Sequence, residues 1–277
     1  MKTNWIKTLI VPAMLLFNGQ ASQAQNEVKE QLTVPLSDPS KPGSLTVNLI
    51  KGSIRIAGYQ GNQVIVEVTG KSNSTEDKKE PAADGMRKIV PKSAAIDVTA
   101  TEDKNKVHIN SRLVNRPVDL LIKVPQSFSI KAGTIDDGNI AVDNVSGTHE
   151  ISNVNGDITL TNMGGSIVAN TINGTLKVTF RNADTKLPMA FSTLNGNVDV
   201  TLPPTAKFDV KLKSDNGDIF TDFDVQVDQS QPQASRSGKD GMYKVAVEDW
   251  VRGKVNGGGS EIMMKNMNGN IYVRKFR

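Results

Sequence analysis

The side chains of this sequence best suited to chemistry are two histidines, a set of recurrent aspartates and a few aromatic residues. The histidines are His108 and His149, and the chain contains no cysteine. Nucleophilic catalysis needs a base held in place by a third group, and without a thiol system the available base is an imidazole. His149 is followed by Glu150, but no second histidine stands where the zinc-protease helix motif requires one. Both histidines therefore read as surface or structural residues. Asp136, Asp137, Asp157 and Asp218 recur near glycine corners. Acidic pairs of this kind serve polysaccharide cleavage when they converge on one groove, but an Asp next to Gly more commonly makes a turn through its side-chain acceptor. The glycine-rich nonapeptide that lays calcium between coils is absent. We assign no catalytic, cofactor-binding or metal-binding residue.

Carbohydrate recognition would use exposed aromatics, which offer broad contact for little lost freedom. The candidates are Tyr59, Tyr243, Trp250 and Tyr272. Tyr243 and Trp250 flank a polar excursion and are the candidate ligand-binding residues. The plainer role for Trp250 is a strand residue covering an open end of the fold.

What would position these groups is a phrase repeated six times: Asn or Asp, Gly, a small polar residue, then an aliphatic. It begins at Asp137, Asn155, Asn173, Asn195, Asn216 and Asn268, the first five at spacings of 18, 18, 22 and 21 residues. Such periods mark one supersecondary unit stacked many times. Each phrase is followed by alternation, as in Ile158 and Leu160 or Leu176 and Val178, the period of a strand buried on one face. Asn-Gly is also the strongest hairpin signal. Gly147 and Gly165, however, fall midway between the phrase glycines, which predicts strand, corner, strand, corner in a chain that winds instead of reversing.

The expected fold is therefore all-β, a β-solenoid of stacked coils of about 18 to 22 residues, roughly 4.8 Å apart. In register on the phrase, Asn155, Asn173, Asn195 and Asn216 would form an amide ladder, with Asp137 accepting at its first rung. Further strands are expected within Leu45 to Thr69, at Ile96 to Val98, Val107 to Ile109 and Val118 to Val124. Lys71 to Ala95 and Gln226 to Met242 read as two polar loop excursions.

Residues 1–24 read as a signal peptide: Lys2 and Lys7, an apolar run from Thr8 to Phe17, then Ser22-Gln23-Ala24. That run is shorter than the roughly 20 residues a spanning helix needs, so after cleavage no transmembrane segment is expected. Residues 25–277 then form a single β-solenoid domain, with a repeat core at about 118–277. The formal charge of +4 includes Lys2 and Lys7, and both signs are interspersed, which argues against nucleic acid as a partner. Without cysteine, stability rests on the core and the backbone ladders.

Val118-Asp119-Leu120-Leu121-Ile122-Lys123-Val124-Pro125, the Asn-Gly-x-aliphatic phrases, Thr201-Leu202-Pro203 and Gly257-Gly258-Gly259 ahead of Asn268-Gly269-Asn270-Ile271 together resemble a bacterial family. It is the β-strand-repeat domain of unknown function labelled "putative adhesin", and the resemblance covers roughly residues 40 to 277. It implies an extracytoplasmic β-solenoid without a known catalytic site. The expected function is a non-enzymatic scaffold or adhesin-like binding protein of the bacterial cell envelope, in the periplasm or at the cell surface, with an envelope protein or a glycan as partner. Two alternatives are a polysaccharide-active enzyme on a β-helix and a structural protein that self-associates through open solenoid ends. In the last reading the tail Arg274-Lys275-Phe276-Arg277 protects an edge by charge.

Overall fold

The computed structural model describes residues 27–71, 96–114, 116–183, 187–228, 234–239, 242–247 and 250–277. The signal peptide expected at 1–24 lies outside them, as does nearly all of the excursion expected at 71–95. The described residues form 22 strands and no helix, 20 of the strands joined in one sheet system. None of these residues forms a helix able to cross a membrane.

The strands build two faces. One is a run of parallel strands that follow the corners: β7 (Val118–Pro125), β3 (Ile54–Tyr59), β9 (Ile140–Asp143), the first half of β11 (Ile158–Asn173), β12 (Leu176–Ala183), β14 (Val198–Leu202), β22 (Ile271–Lys275) and β16 (Ile219–Thr221). The other is made by the strands that lead into the corners. These are β6 (Lys106–Ser111), β2 (Gly43–Lys51), β8 (Phe128–Asp136), β10 (Ser146–Asn153), the second half of β11, β13 (Met189–Asn195), β21 (Glu261–Asn268) and β15 (Phe208–Asn216).

Antiparallel strands close both ends. β4 (Gln63–Lys71) and then β1 (Glu27–Pro35) extend the first face beyond β7, and β5 (Val98–Asp103) flanks β6. At the far end, β20 (Val251–Val255) pairs with both β15 and β17 (Val225–Val227). These closures cover both ends of the second face and the β7 end of the first, while β16 at the other end of the first face pairs among the described residues with β22 alone.

The Asn-Gly phrases turn the chain from one face to the other; none closes a hairpin. Aliphatics after successive corners stack directly, Ile140 on Ile158, Leu176, Val198 and Ile271, and all five are fully buried. Opposite them, Ala132, Ile151, Ala169, Phe191 and Met264 stack from the other face. At roughly 1.5 to 3 kcal/mol per fully buried side chain, each added layer stabilises its neighbours more than it could stabilise itself.

The corner explains the invariance of the phrase. Asn173, Asn195, Asn268 and Asn216 each donate a side-chain N–H to the carboxamide oxygen of Asn155, Asn173, Asn195 and Asn268 respectively, at 2.7 to 3.0 Å. The expected amide ladder thus exists, with Asn268 inserted between Asn195 and Asn216. Asp137 is not joined to it by a side-chain hydrogen bond; its carboxylate lies 3.6 Å from the Lys51 amine. The small polar residue of the phrase has its own ladder. Asn139 accepts from the amide of Asp157, Asp157 from Thr175, Asn197 from Asn270 and Asn270 from Asp218.

Two other features differ from the sequence reading. The second corner carries left-handed Asn144 and Asn162, at φ 58° and 53°, three residues ahead of Gly147 and Gly165. Asparagine tolerates that region through its short polar side chain, so the midway glycines mark the corner only approximately. The excursion expected at 226–242 contains strand: β17 reaches Val227, and β18 (Ala234–Lys239) pairs antiparallel with β19 (Met242–Val247) as a separate two-stranded sheet.

The phrase glycines are required on two grounds. Gly196 has φ 145° and Gly269 φ 133°, and a Cβ on Gly156, Gly174, Gly196, Gly269 or Gly217 would overlap the carbonyl oxygen of the stacked glycine beneath it. Gly257 also has positive φ, 91°, but a Cβ there would meet nothing. We therefore expect Gly257→Ala to cost about 1 to 2 kcal/mol, the left-handed penalty alone, and Gly196→Ala clearly more. Urea denaturation of both variants compares them; equal losses would contradict the close-approach argument.

Candidate binding surface

The residues singled out for chemistry are mostly built into the scaffold. His149 points into the core from β10, 1% exposed, with its Nε2 3.2 Å from the Gly164 carbonyl and its Nδ1 without a hydrogen-bond partner. Burial pushes the imidazole down to about 4 against the lesser opposing pull of the Gly164 carbonyl. A neutral ring donating from Nε2 satisfies that geometry, and it has no route to a substrate. Asp136 and Asp137 face Lys51 at 3.0 and 3.6 Å, and hydrogen bonding to Asp136 raises the lysine's pKa. Asp157 caps the backbone amide of Thr175 at 2.7 Å. No three His, Asp or Glu residues among the described ones come together as a metal site.

The aromatics separate into different roles. Tyr59 donates its hydroxyl to the Gln63 carbonyl at 2.8 Å and packs beside Gly61, closing the turn between β3 and β4. Tyr243 lies in β19, and Trp250 directly precedes β20 in the other sheet system, with the Lys211 amine 4.7 Å from its ring. Tyr272 belongs to a group the sequence did not disclose. Lys177, Asp199, Tyr272 and Phe220 occupy register-matched positions on β12, β14, β22 and β16. Their row runs outward along the first face, one residue per coil.

Within that row, Tyr272 and Phe220 stack nearly parallel, 5.2 Å between centroids and 12° between planes, and Phe220 is 47% exposed. Phe220 sits on β16, whose ladder partner is β22, so its ring is the last in the stack. The Arg274 guanidinium lies 4.6 Å from the Tyr272 ring centre and reaches Asp199 at 3.0 and 3.2 Å. Asn270 donates to the Tyr272 hydroxyl at 3.1 Å. Lys177 and Asp199 of the row, with Thr201, Asp222, Arg274 and Phe276, line an open depression of about 530 Å³ next to the stacked rings. Flat rings next to hydroxyls and paired charges can stack an apolar sugar face while hydrogen-bonding its hydroxyls. A larger depression at the other end, about 590 Å³, is lined by Lys29, Arg55, Glu67 and Asp119 among others and has no aromatic lining residue. The clue to Phe220 was in the phrase itself, since Phe220 and Tyr272 each follow the first aliphatic.

A family model, Toastrack DUF4097, matches residues 20–249 of the chain. The chain belongs to the Toastrack DUF4097 family. The match takes in the strands from β1 to β19 and ends ahead of β20, β21 and β22, and the domain is one of unknown function. No curated protein matches this Toastrack chain. Among solved structures it is similar to a "putative cell adhesion protein" from Clostridium sporogenes, 12% identical, TM-score 0.41, over 90% of this chain and 100% of that one. A "putative adhesin" from Bacteroides fragilis is 7% identical with a TM-score of 0.30, over 91% and 98%. A "putative lipid binding protein" from Parabacteroides distasonis is 9% identical with a TM-score of 0.27, over 92% and 98%. Scores this low do not establish a shared strand arrangement.

The buried His149 makes stability depend on pH in a defined window. The unfolded chain takes up a proton on this ring below about 6.5, and the folded one only near 4. Its contribution is intact above about pH 6.5 and is lost as pH falls towards 4, by about 3 kcal/mol at most. Denaturation at pH 7 and pH 4.5 should show this loss, and His149→Met should remove most of it.

Proposed function

We propose that this Toastrack protein is a non-enzymatic binding protein of the bacterial cell envelope, acting outside the cytoplasm as a β-solenoid with coils of about 18 to 22 residues and a glycan as its ligand. The offsets of 18 and 22 residues between stacked Asn155, Asn173 and Asn195 support the coil size, and the Lys2 to Ala24 sequence pattern supports export. The observation that carries the ligand class is the Phe220–Tyr272 stack, set on the rigid first face beside Arg274, Asp199 and Lys177. Tyr272 is held by the ladders of β22 to β14 and β16, and Phe220 by the ladder of β16 to β22, so little order has to be gained on binding. The Asp199 carboxylate is engaged by Arg274, which suits hydrogen bonding to a ligand better than proton transfer to one.

Titration against a panel of soluble cell-wall and acidic polysaccharides tests this reading. Phe220→Ala with Tyr272→Ala should weaken binding roughly tenfold or more with little change in melting, while Tyr243→Ala with Trp250→Ala reports on the alternative surface around the β18–β19 hairpin. Full binding by the Phe220/Tyr272 variant would overturn the assignment. Release of reducing ends from any of these polysaccharides would overturn the non-enzymatic reading.

A further inference from the structure

The ladder of corners ends at Asn216 and Gly217, and this last rung differs from the four before it. Asn155, Asn173, Asn195 and Asn268 each receive a side-chain N–H on the carboxamide oxygen. The glycine after each of them donates its amide to the next asparagine carbonyl: Gly156 to Asn173, Gly174 to Asn195, Gly196 to Asn268 and Gly269 to Asn216, at 2.9 to 3.2 Å. Asn216 still gives a side-chain N–H to Asn268 at 3.0 Å. Among the described residues, however, nothing donates to its carboxamide oxygen, and the Gly217 amide has no acceptor. Burial follows the same division, since Gly217 is exposed and the other four glycines are half-buried.

An asparagine followed by glycine is open to attack on its own carboxamide, because glycine puts no side chain in the way of its nitrogen. At this rung the Gly217 nitrogen would bond to Asn216 Cγ while the Cγ–Nδ2 bond breaks, and Nδ2 would leave as ammonia with the proton given up by the Gly217 nitrogen. Water then opens the cyclic imide. Hydrolysis on the Cγ side leaves aspartate, and hydrolysis on the main-chain carbonyl side leaves an isoaspartyl link through the side chain. At the four inner rungs the attacking nitrogen is tied through its N–H to a stacked carbonyl and the carboxamide oxygen is occupied, so a coil has to open before the ring can close. Asp137, ahead of Gly138, has no amide nitrogen to lose. Asn256 and Gly257, outside the ladder, are exposed as well, but Asn256 donates to the carbonyls of both Pro204 and Ala206, at 3.0 and 2.8 Å, which anchors its leaving nitrogen.

We propose that Asn216 is a site of spontaneous modification, where the exposed rung converts to aspartate or isoaspartate while the inner rungs keep their amides. The product loosens the strand that carries Phe220. Aspartate has no N–H for Asn268 and sets a carboxylate against its carboxamide oxygen. The isoaspartyl link lengthens the main chain by a methylene just ahead of β16. Because β16 pairs among the described residues with β22 alone, Phe220 then loses its fixed place beside Tyr272, whatever that surface binds.

The test is incubation of the folded protein at mildly alkaline pH, followed by peptide mapping with mass spectrometry. Asn216 should convert roughly tenfold or more faster than Asn155, Asn173, Asn195 and Asn268, whose coils must open first, and faster than Asn256. In urea, with the ladder gone, the five asparagines of the phrase should convert at similar rates. Asn216→Gln keeps a carboxamide but sets it a carbon too far for ready ring closure, and should convert far more slowly. Hydrogen exchange should show residues 219–222 less protected in the converted protein, and in Asn216→Asp, than in fresh protein, with 198–202 unchanged. Inner rungs converting as fast as Asn216, a preference for Asn216 that persists in urea, or unchanged protection of 219–222 after conversion would overturn the proposal.

Discussion

The structure depends on how closely one corner can lie on the next. Stacked strands set a fixed rise per coil, and at the corner the backbone must turn within that rise without leaving its own N–H and C=O groups bare. The phrase solves this with two side-chain ladders and a glycine. The asparagine joins its stacked neighbours through its carboxamide, which both donates and accepts. The small polar residue takes the amide of the residue stacked on it. Glycine allows the carbonyl of one corner to sit where a Cβ of the next would be. The Gly174 amide then donates to Asn195 and the Gly196 amide to Asn268, each at 2.9 Å. With the backbone satisfied at every corner, the aliphatics that follow are delivered to the same depth in each coil, and the core becomes a set of straight columns.

This regularity also permits an arrangement that chain order does not suggest. Because every corner offers the same ladder groups, a coil can be added out of sequence. β21–β22 lies between β13–β14 and β15–β16, and β2–β3 lies between β6–β7 and β8–β9. At the far end a late coil lies between two earlier ones, and at the near end an early coil lies between two later ones. The two ends of the domain are thereby tied to its interior, which locks the stack more firmly than simple winding would.

Much of this was legible in the residues. Period-two alternation after each phrase identified the strands, and the repeat spacing predicted stacking of Asn155, Asn173 and Asn195. The position of Asn268 was not legible, because a 52-residue separation from Asn216 is equally compatible with a coil added at the end and one inserted before it. Asn144 and Asn162 were missed as corner residues because the nearby Gly147 and Gly165 carry the stronger turn signal. The aromatic pair was hidden for the same reason as the coil order. Phe220 and Tyr272 are far apart in sequence, and they meet because β22 is seated against β16. The surface that supports glycan binding is thus a direct product of the inserted coil.

Contacts among asparagine side chains report the order of the coils. In protein labelled selectively at asparagine, nuclear Overhauser spectra should connect the side-chain amide of Asn268 to those of both Asn195 and Asn216, with no direct contact between Asn195 and Asn216. A direct Asn195–Asn216 contact, with Asn268 outside the pair, would show coils stacked in chain order and rule out the inserted coil.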